Sequence, residues 1–273
     1  MLTDTHTHLY LPEFDQDREV AMERAFGQGI ERIFLPNIDA DSIAPMLALC
    51  GQYPENCFPM LGLHPCSVKA GFRQELEKIK VSLEQHSSPN QLVSGGRHTC
   101  VAIGEIGLDF YWDKSFVREQ EEAFRIQVGW AVARDLPIVI HSRDSFDEIC
   151  QLLIEEKQQL PAESGLGIRG IFHCFTGTYE QACRAIDLGF YLGIGGVATF
   201  KKSDLPEVLS EISLDHIVLE TDSPYLAPVP FRGKRNESSY LVAVADKLAE
   251  VYGLSREEIA ERTTENSRIV FGI

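Results

Sequence analysis

Histidines and acidic residues recur in this chain at places where they could hold a divalent metal ion and activate a water. Of the eight histidines, His6, His8, His64, His141 and His173 each stand at or just beyond the end of a short apolar run. His6 and His8 lie two apart in Asp4-Thr5-His6-Thr7-His8. On an extended backbone, residues i and i+2 point to one face, so both imidazoles can reach one ion. A lone histidine in such a place would most often pack or hydrogen-bond, whereas five at the ends of four such runs read as a ligand set. His86, His98 and His216 fall outside the pattern and read as ordinary residues.

Two carboxylates complete the constellation. Glu105 sits in Gly104-Glu105-Ile106-Gly107-Leu108-Asp109, among apolar and glycine residues where a carboxylate needs a partner. It is either paired with an arginine or bridges two metal ions. Asp222, in Leu219-Glu220-Thr221-Asp222-Ser223-Pro224, falls where the set needs its last acidic ligand. Glu220, two residues before it, would buttress the site or form a salt bridge in the interior.

Other chemistry-bearing types are weaker. Cys174 follows His173 and faces the other side of the run, which reads as a structural thiol and not a nucleophile. Gly193, Gly195 and Gly196 do not make a dinucleotide fingerprint and read as tight packing or a phosphate-side turn. Lys201-Lys202 and Arg232-Gly233-Lys234-Arg235 are local basic spots, either solvated or in contact with phosphate. Phe110, Tyr111 and Trp112 follow Glu105 and would either stack a base or pack under a helix.

The elements that must position these residues alternate along the whole chain. Strand-like runs cover Leu2–His6, Ile30–Pro36, Phe58–Leu63, Val101–Ile106, Ile138–His141, Gly170–His173, Phe190–Ile194 and His216–Glu220. They are near-continuously apolar, as parallel strands covered by helices are. Amphipathic stretches lie between them, including Arg118–Arg134 with Phe124, Val128 and Ala131 at helical spacing. Ser145 and Thr178 read as N-caps of helices running to Leu153 and Leu188, Gly189 as a C′ residue, and Ser255-Arg256-Glu257-Glu258 as a capping box. Ser87–Thr99 reads as a surface loop. Eight strands alternating with helices predict one α/β domain over residues 1–273, a (β/α)8 TIM barrel whose active site lies at the C-terminal strand ends.

Composition narrows the partners. The chain has 273 residues, 25 Lys plus Arg against 41 Asp plus Glu, and a formal net charge of -16. Affinity for long nucleic acid comes mainly from a broad basic surface, which this balance disfavours, although a strand end held in a metal pocket remains compatible. Seven scattered cysteines without a CxxC pair read as reduced thiols of a cytoplasmic protein. No apolar run reaches the roughly 18 residues of a membrane helix, the start of the chain does not read as a signal peptide, and no obligate protein partner is evident.

Taken in order, seven segments resemble the TatD family of metal-dependent deoxyribonucleases, within the amidohydrolase-like barrels. They are Asp4-Thr5-His6-Thr7-His8-Leu9; Gly62-Leu63-His64-Pro65; Gly104-Glu105-Ile106-Gly107-Leu108-Asp109; Pro137-Ile138-Val139-Ile140-His141-Ser142-Arg143; His173-Cys174-Phe175-Thr176-Gly177; Glu220-Thr221-Asp222-Ser223-Pro224-Tyr225-Leu226; and Arg232-Gly233-Lys234-Arg235-Asn236-Glu237. The resemblance implies two divalent ions per chain. His6, His8 and Asp222 would bind one, His141 and His173 the other, and Glu105 would bridge them. It also implies His64 beside the scissile phosphate and Arg143 on phosphate oxygens. Where the family continues with Pro after its Asn-Glu, this chain has Ser238-Ser239.

Imidazole and carboxylate ligands suit Zn, Mn, Co, Ni or Fe, whereas Mg needs more oxygen ligands and would serve at most in an assay. Two ions about 4 Å apart would generate a hydroxide near neutral pH and stabilise charge on the leaving oxygen, with Asp222 taking a proton from the attacking water. The implied activity is hydrolysis of phosphodiesters in a DNA end or short oligonucleotide, as a 3′-5′ exonuclease. The alternatives are hydrolysis of a small phosphoester, amide or lactone at the same site, and a catalytically idle barrel acting as a binding partner.

Overall fold

A computed structural model describes residues 1–86, 99–160 and 167–273. Eight strands run through it: β1 (Leu2–Asp4), β2 (Ile30–Pro36), β3 (Cys57–Met60), β4 (Ile103–Asp109), β5 (Ile138–Arg143), β6 (Gly170–Phe172), β7 (Phe190–Ile194) and β8 (Ile217–Leu219). The α-helices between and after them are α1 (Arg18–Gly27), α2 (Ile43–Gln52), α3 (Phe72–His86), α4 (Val117–Arg134), α5 (Phe146–Gln159), α6 (Tyr179–Asp187), α7 (Leu205–Ser210), α8 (Leu241–Tyr252) and α9 (Arg256–Phe271).

All strand pairs are parallel. They form a three-stranded sheet, β1-β2-β3, and a five-stranded sheet, β4-β5-β6-β7-β8. Isolated contacts span the two seams between the sheets. At β3/β4, Met60 bridges Ala102 and the Gly104 N–H donates to the Leu61 carbonyl at 3.1 Å. At β8/β1, the Thr5 N–H donates to the Leu219 carbonyl and the Asp222 N–H to the His6 carbonyl, each at 2.9 Å. The chain thus follows a (β/α)8 course, with the ladder interrupted at these seams.

The period of two in a strand divides the apolar runs into two layers. Phe34, Met60, Val139, Ile171 and Val218 pack together inside, with Phe271 of α9 stacked on Phe34 at 4.0 Å. Their strand neighbours Ile33, Leu35, Ile138, Ile140, Phe172, Ile217 and Leu219 face the helices and join the larger core. Burying each such side chain fully contributes about 1.5–3 kcal/mol. Two further residues along, the inner face turns polar: Val139 leads to His141, Ile171 to His173, and Val218 to Glu220. The alternation that fills the barrel therefore also loads its mouth.

Several local expectations hold and some shift. Thr178 with Gln181 and Ser255 with Glu258 form complete capping boxes. Gly189 follows α6 at φ 81°. Ser145 occupies the cap position of α5, but its hydroxyl donates to the Leu108 carbonyl instead of accepting from the helix, because β4 passes beside it. β1 ends at Asp4, not His6, since Thr5–His8 bond alternately to β8, β2 and Ser223 and not to one neighbouring strand. The Ser87–Thr99 loop and His98 lie outside the described residues, apart from Thr99. Among the described residues, no helix is long and apolar enough to cross a membrane.

Candidate metal centre

Five imidazoles surround one carboxylate. Glu105, 2% exposed, presents its Oε2 to His6 Nε2 at 3.1 Å and His8 Nε2 at 3.7 Å. Its Oε1 lies 2.9 Å from His141 Nδ1 and 3.2 Å from both His64 Nε2 and His173 Nε2. Asp222 Oδ1 joins the Oε2 side, 3.9 Å from His6 Nε2 and 3.7 Å from His8 Nε2. The backbone delivers these groups closely. Gly107, at φ 149°, lies against β5 where a Cβ would stand 1.9 Å from the His141 carbonyl oxygen. A Cβ on Gly193 would meet Glu220 Oε2 at 2.2 Å, so glycine there makes room for the carboxylate behind His173.

The outer nitrogens of four imidazoles settle which atoms face inward, whereas His6 Nδ1 is buried without a hydrogen-bond partner among the described residues. His8 Nδ1 meets the Tyr10 hydroxyl at 3.0 Å, and that hydroxyl donates to the Pro36 carbonyl at 2.7 Å. The hydroxyl must therefore accept from His8 Nδ1–H, leaving a lone pair on Nε2. His173 Nδ1 is held 3.0 Å from Glu220 Oε1 in the same sense. His141 uses Nε2 to reach Asp109 Oδ2 at 2.9 Å and turns Nδ1 inward. His64 is the opposite case. Its Nδ1 accepts from the Cys66 N–H at 3.0 Å, so the neutral ring carries its proton on Nε2 and points an N–H at Glu105. His64 is thus built to donate a hydrogen bond, although it shares a cluster with Glu105 and His141.

Electrostatics follow burial. Desolvation holds His6 well below the ordinary histidine value and His8 down to about 4, which keeps both neutral. His64 is lowered for the same reason. Burial opposes protonation of His141 and His173 too, but Asp109 and Glu105 raise the first, and Glu220 and Glu105 raise the second. Burial alone would raise Glu105, yet the imidazoles around it hold it well below the carboxylate range. Asp222 is pushed up to about 7 by burial, with His173 opposing and Glu105 and Glu220 adding to the rise.

Close-set imidazole nitrogens and carboxylate oxygens can share a cation placed between them. His6 Nε2 and His8 Nε2 are only 3.3 Å apart. The donor atoms of His6, His8 and Asp222, and those of His6, Glu105 and His173, each lie within 4.8 Å of one another. The set therefore fits divalent ions that favour mixed nitrogen and oxygen ligands. Glu105 meets imidazoles here, and no arginine contacts it among the described residues.

A model of the TatD-related DNase family matches residues 3–272. The chain belongs to that family. It is 39% identical over 274 residues to the uncharacterized metal-dependent hydrolase YabD of Bacillus subtilis, with both chains covered in full. It is 31% identical to a protein of Pectobacterium carotovorum named 3′-5′ ssDNA/RNA exonuclease TatD, with 98% of each covered. Its fold superimposes on the TatD homologue YjjV of Escherichia coli with a TM-score of 0.86, at 29% identity, over 100% of this chain and 98% of the other. As a TatD-family member the chain is a metal-dependent hydrolase acting on ester bonds.

The structure brings together every residue singled out above as a ligand, and it adds residues whose types carried no signal. Tyr10 and Asp109 orient His8 and His141. Buried Asp4 accepts from the Thr221 N–H and hydroxyl and from the Ser238 hydroxyl at 2.9, 2.7 and 2.6 Å, which ties β1 to the segment after β8. The Ser238 that replaces the family's proline thus supplies one of these bonds. Glu220 takes the buttressing role, since it also accepts from the Cys174 N–H at 2.6 Å. The Cys174 thiol is raised by burial, as a structural cysteine would be. In the basic segment, Arg235 is bound by Asp17 at 2.7 and 2.8 Å, and Arg232 stacks on Phe200 at 3.8 Å.

Proposed function

We propose that this chain, as one domain over residues 1–273, removes nucleotides from the 3′ end of single-stranded DNA with two divalent ions. The observation that carries the reading is the division of labour at Glu105, whose Oε2 faces His6 and His8 while its Oε1 faces His64, His141 and His173. His6, His8 and Asp222 would hold one ion, His141 and His173 the other, with Glu105 between them. Zn, Mn, Co, Ni and Fe suit these donors. Such a pair of ions acidifies water and stabilises both entering and leaving oxygens of an in-line displacement.

The chain's own residues do the rest. Asp222 Oδ1, beside His6 and His8, accepts a proton from the attacking water. His64 Nε2–H donates to a phosphate oxygen. Arg143, two residues beyond His141 on the same face, binds phosphate through its N–H edge. The name of the Pectobacterium relative supports the exonuclease assignment. All seven cysteines are unpaired, which supports a reducing, cytoplasmic setting.

The test is hydrolysis of 3′-labelled single-stranded DNA beside a panel of small phosphoesters, amides and lactones. EDTA abolishes hydrolysis and Mn, Co or Zn restores it. Undiminished turnover in excess chelator, from protein without metal, overturns the reading. Activity on the small esters with none on DNA redirects the assignment to a small-molecule hydrolase.

A further inference from the structure

We infer that Tyr111, Trp112 and Arg143 form a nucleotide subsite at the barrel rim, in which a base stacks on Trp112 while the adjoining phosphate takes the Arg143 N–H edge. The inference rests on the proposed action at a DNA end and locates the nucleotide beside the scissile bond. Trp112 is 69% exposed and Tyr111 is 54% exposed. Their rings meet edge to face at 4.9 Å. The Arg143 guanidinium lies 4.1 Å from the Tyr111 ring centre and 5.3 Å from that of Trp112. Stacking engages the face of a guanidinium and leaves its in-plane donors open. Among the described residues, no hydrogen bond or ion pair occupies those donors.

The arrangement is anchored to the metal centre. Asp109, 1% exposed, accepts from the Tyr111 and Trp112 N–H groups through Oδ1, at 3.0 Å each. Its Oδ2 meets His141 Nε2 at 2.9 Å. One buried carboxylate thereby fixes both the aromatic turn and an imidazole of the candidate centre. The Phe110 N–H also donates to the Arg143 carbonyl at 2.9 Å, and Phe110 itself packs against the core. The two rings after it are the exposed ones of the three. The net charge of -16 offers little to attract a polyanion, so stacking is the affinity source this surface can supply. A flat base joined to a phosphate matches an exposed ring beside open guanidinium donors.

The chain has two tryptophans, so Trp130→Phe isolates the Trp112 signal. In metal-loaded Trp130→Phe protein, deoxyadenosine 5′-monophosphate should quench the fluorescence saturably, and deoxyribose 5-phosphate should not. Trp112→Ala should raise KM for a single-stranded oligonucleotide by about 5- to 150-fold, the range for one stacked base, with kcat preserved. Trp112→Phe should restore KM, and an oligonucleotide with abasic terminal residues should abolish the difference between Trp112→Ala and wild type. Absence of quenching, or an unchanged KM for Trp112→Ala on an oligonucleotide that the wild type degrades, overturns the subsite and leaves the exonuclease reading intact. Quenching by the nucleotide in a protein that degrades no oligonucleotide supports the subsite and overturns the exonuclease reading.

Discussion

At the scale of single residues, three substitutions separate ligand, base and phosphate holder. Glu105→Ala removes the carboxylate that faces the imidazoles on both sides, so metal content should fall at both positions and activity should nearly vanish. Asp222→Asn keeps an oxygen donor but loses the basic carboxylate. It should retain much of its metal and lose about 10²–10⁴-fold in kcat. Arg143→Ala should keep full metal content and lose about 1.5–3 kcal/mol of substrate binding. Metal stoichiometry and steady-state kinetics on the three variants check the set. Metal loss in Arg143→Ala, with both ions kept in Glu105→Ala, would contradict the assignment. Glu220 acts through His173. Glu220→Gln can still accept from the Cys174 N–H but no longer sets the imidazole as strongly, and metal affinity or activity should drop by about 10–100-fold. Chelator-competition titration measures it.

At the scale of elements, helices pin the strand ends that carry the site. Buried Gln127 of α4 accepts from the Leu63 N–H at 2.6 Å, next to His64, and Gln120 accepts from the Asp109 N–H at 2.9 Å. On the other side, Arg24 of α1 makes a bidentate pair with buried Glu237 at 2.7 and 2.6 Å, and Arg235 grips Asp17 just before α1. These links hold α1 to the segment that follows Asp222. Hydrogen bonds from Arg235, then from Arg24, lower the Asp17 carboxyl from 3.8 to about 2. A carboxyl depressed in the folded state stabilises fully above its unfolded pKa and loses that contribution as pH falls through its folded one. Asp17→Asn should therefore destabilise the protein at neutral pH, by a margin that shrinks between pH 3.8 and about 2. Urea unfolding of both proteins across that window reads the margin, and a constant margin would show that Asp17 is not the titrating group.

At the scale of the whole molecule, the charge balance governs how substrate is met. With a net charge of -16 and a sequence pI near 4.9, long-range attraction for DNA is weak. Arg24, Arg125, Arg235 and Arg256 are already paired with carboxylates. Affinity should come from the metal centre, Arg143 and stacking, so the dependence of binding on salt should be shallow, equivalent to about two to four phosphate contacts. Fluorescence titrations over a range of salt concentrations measure the slope. A slope equivalent to about eight contacts or more would mean that a basic groove also holds the substrate.

The sequence by itself determined the alternation of strands and helices, because apolar runs and caps are local signals, and it pointed to the candidate ligands, because histidines and carboxylates recur at the strand ends. His6, His8, Glu105, His141, His173 and Asp222 were legible for that reason. Only the tertiary structure decided how they are oriented. His141 and Asp109 are 32 residues apart and His173 and Glu220 are 47 apart, so nothing local marks them as partners. Tyr10, Asp4 and Ser238 are ordinary residue types until the fold sets Tyr10 against His8, and Thr221 and Ser238 against Asp4. The exposure of Trp112 and the stacking of Arg143 likewise depend on where β4 and β5 end relative to each other. A ligand's identity is written in one residue, whereas its tautomer and direction are set by whichever neighbour the barrel brings to its far side.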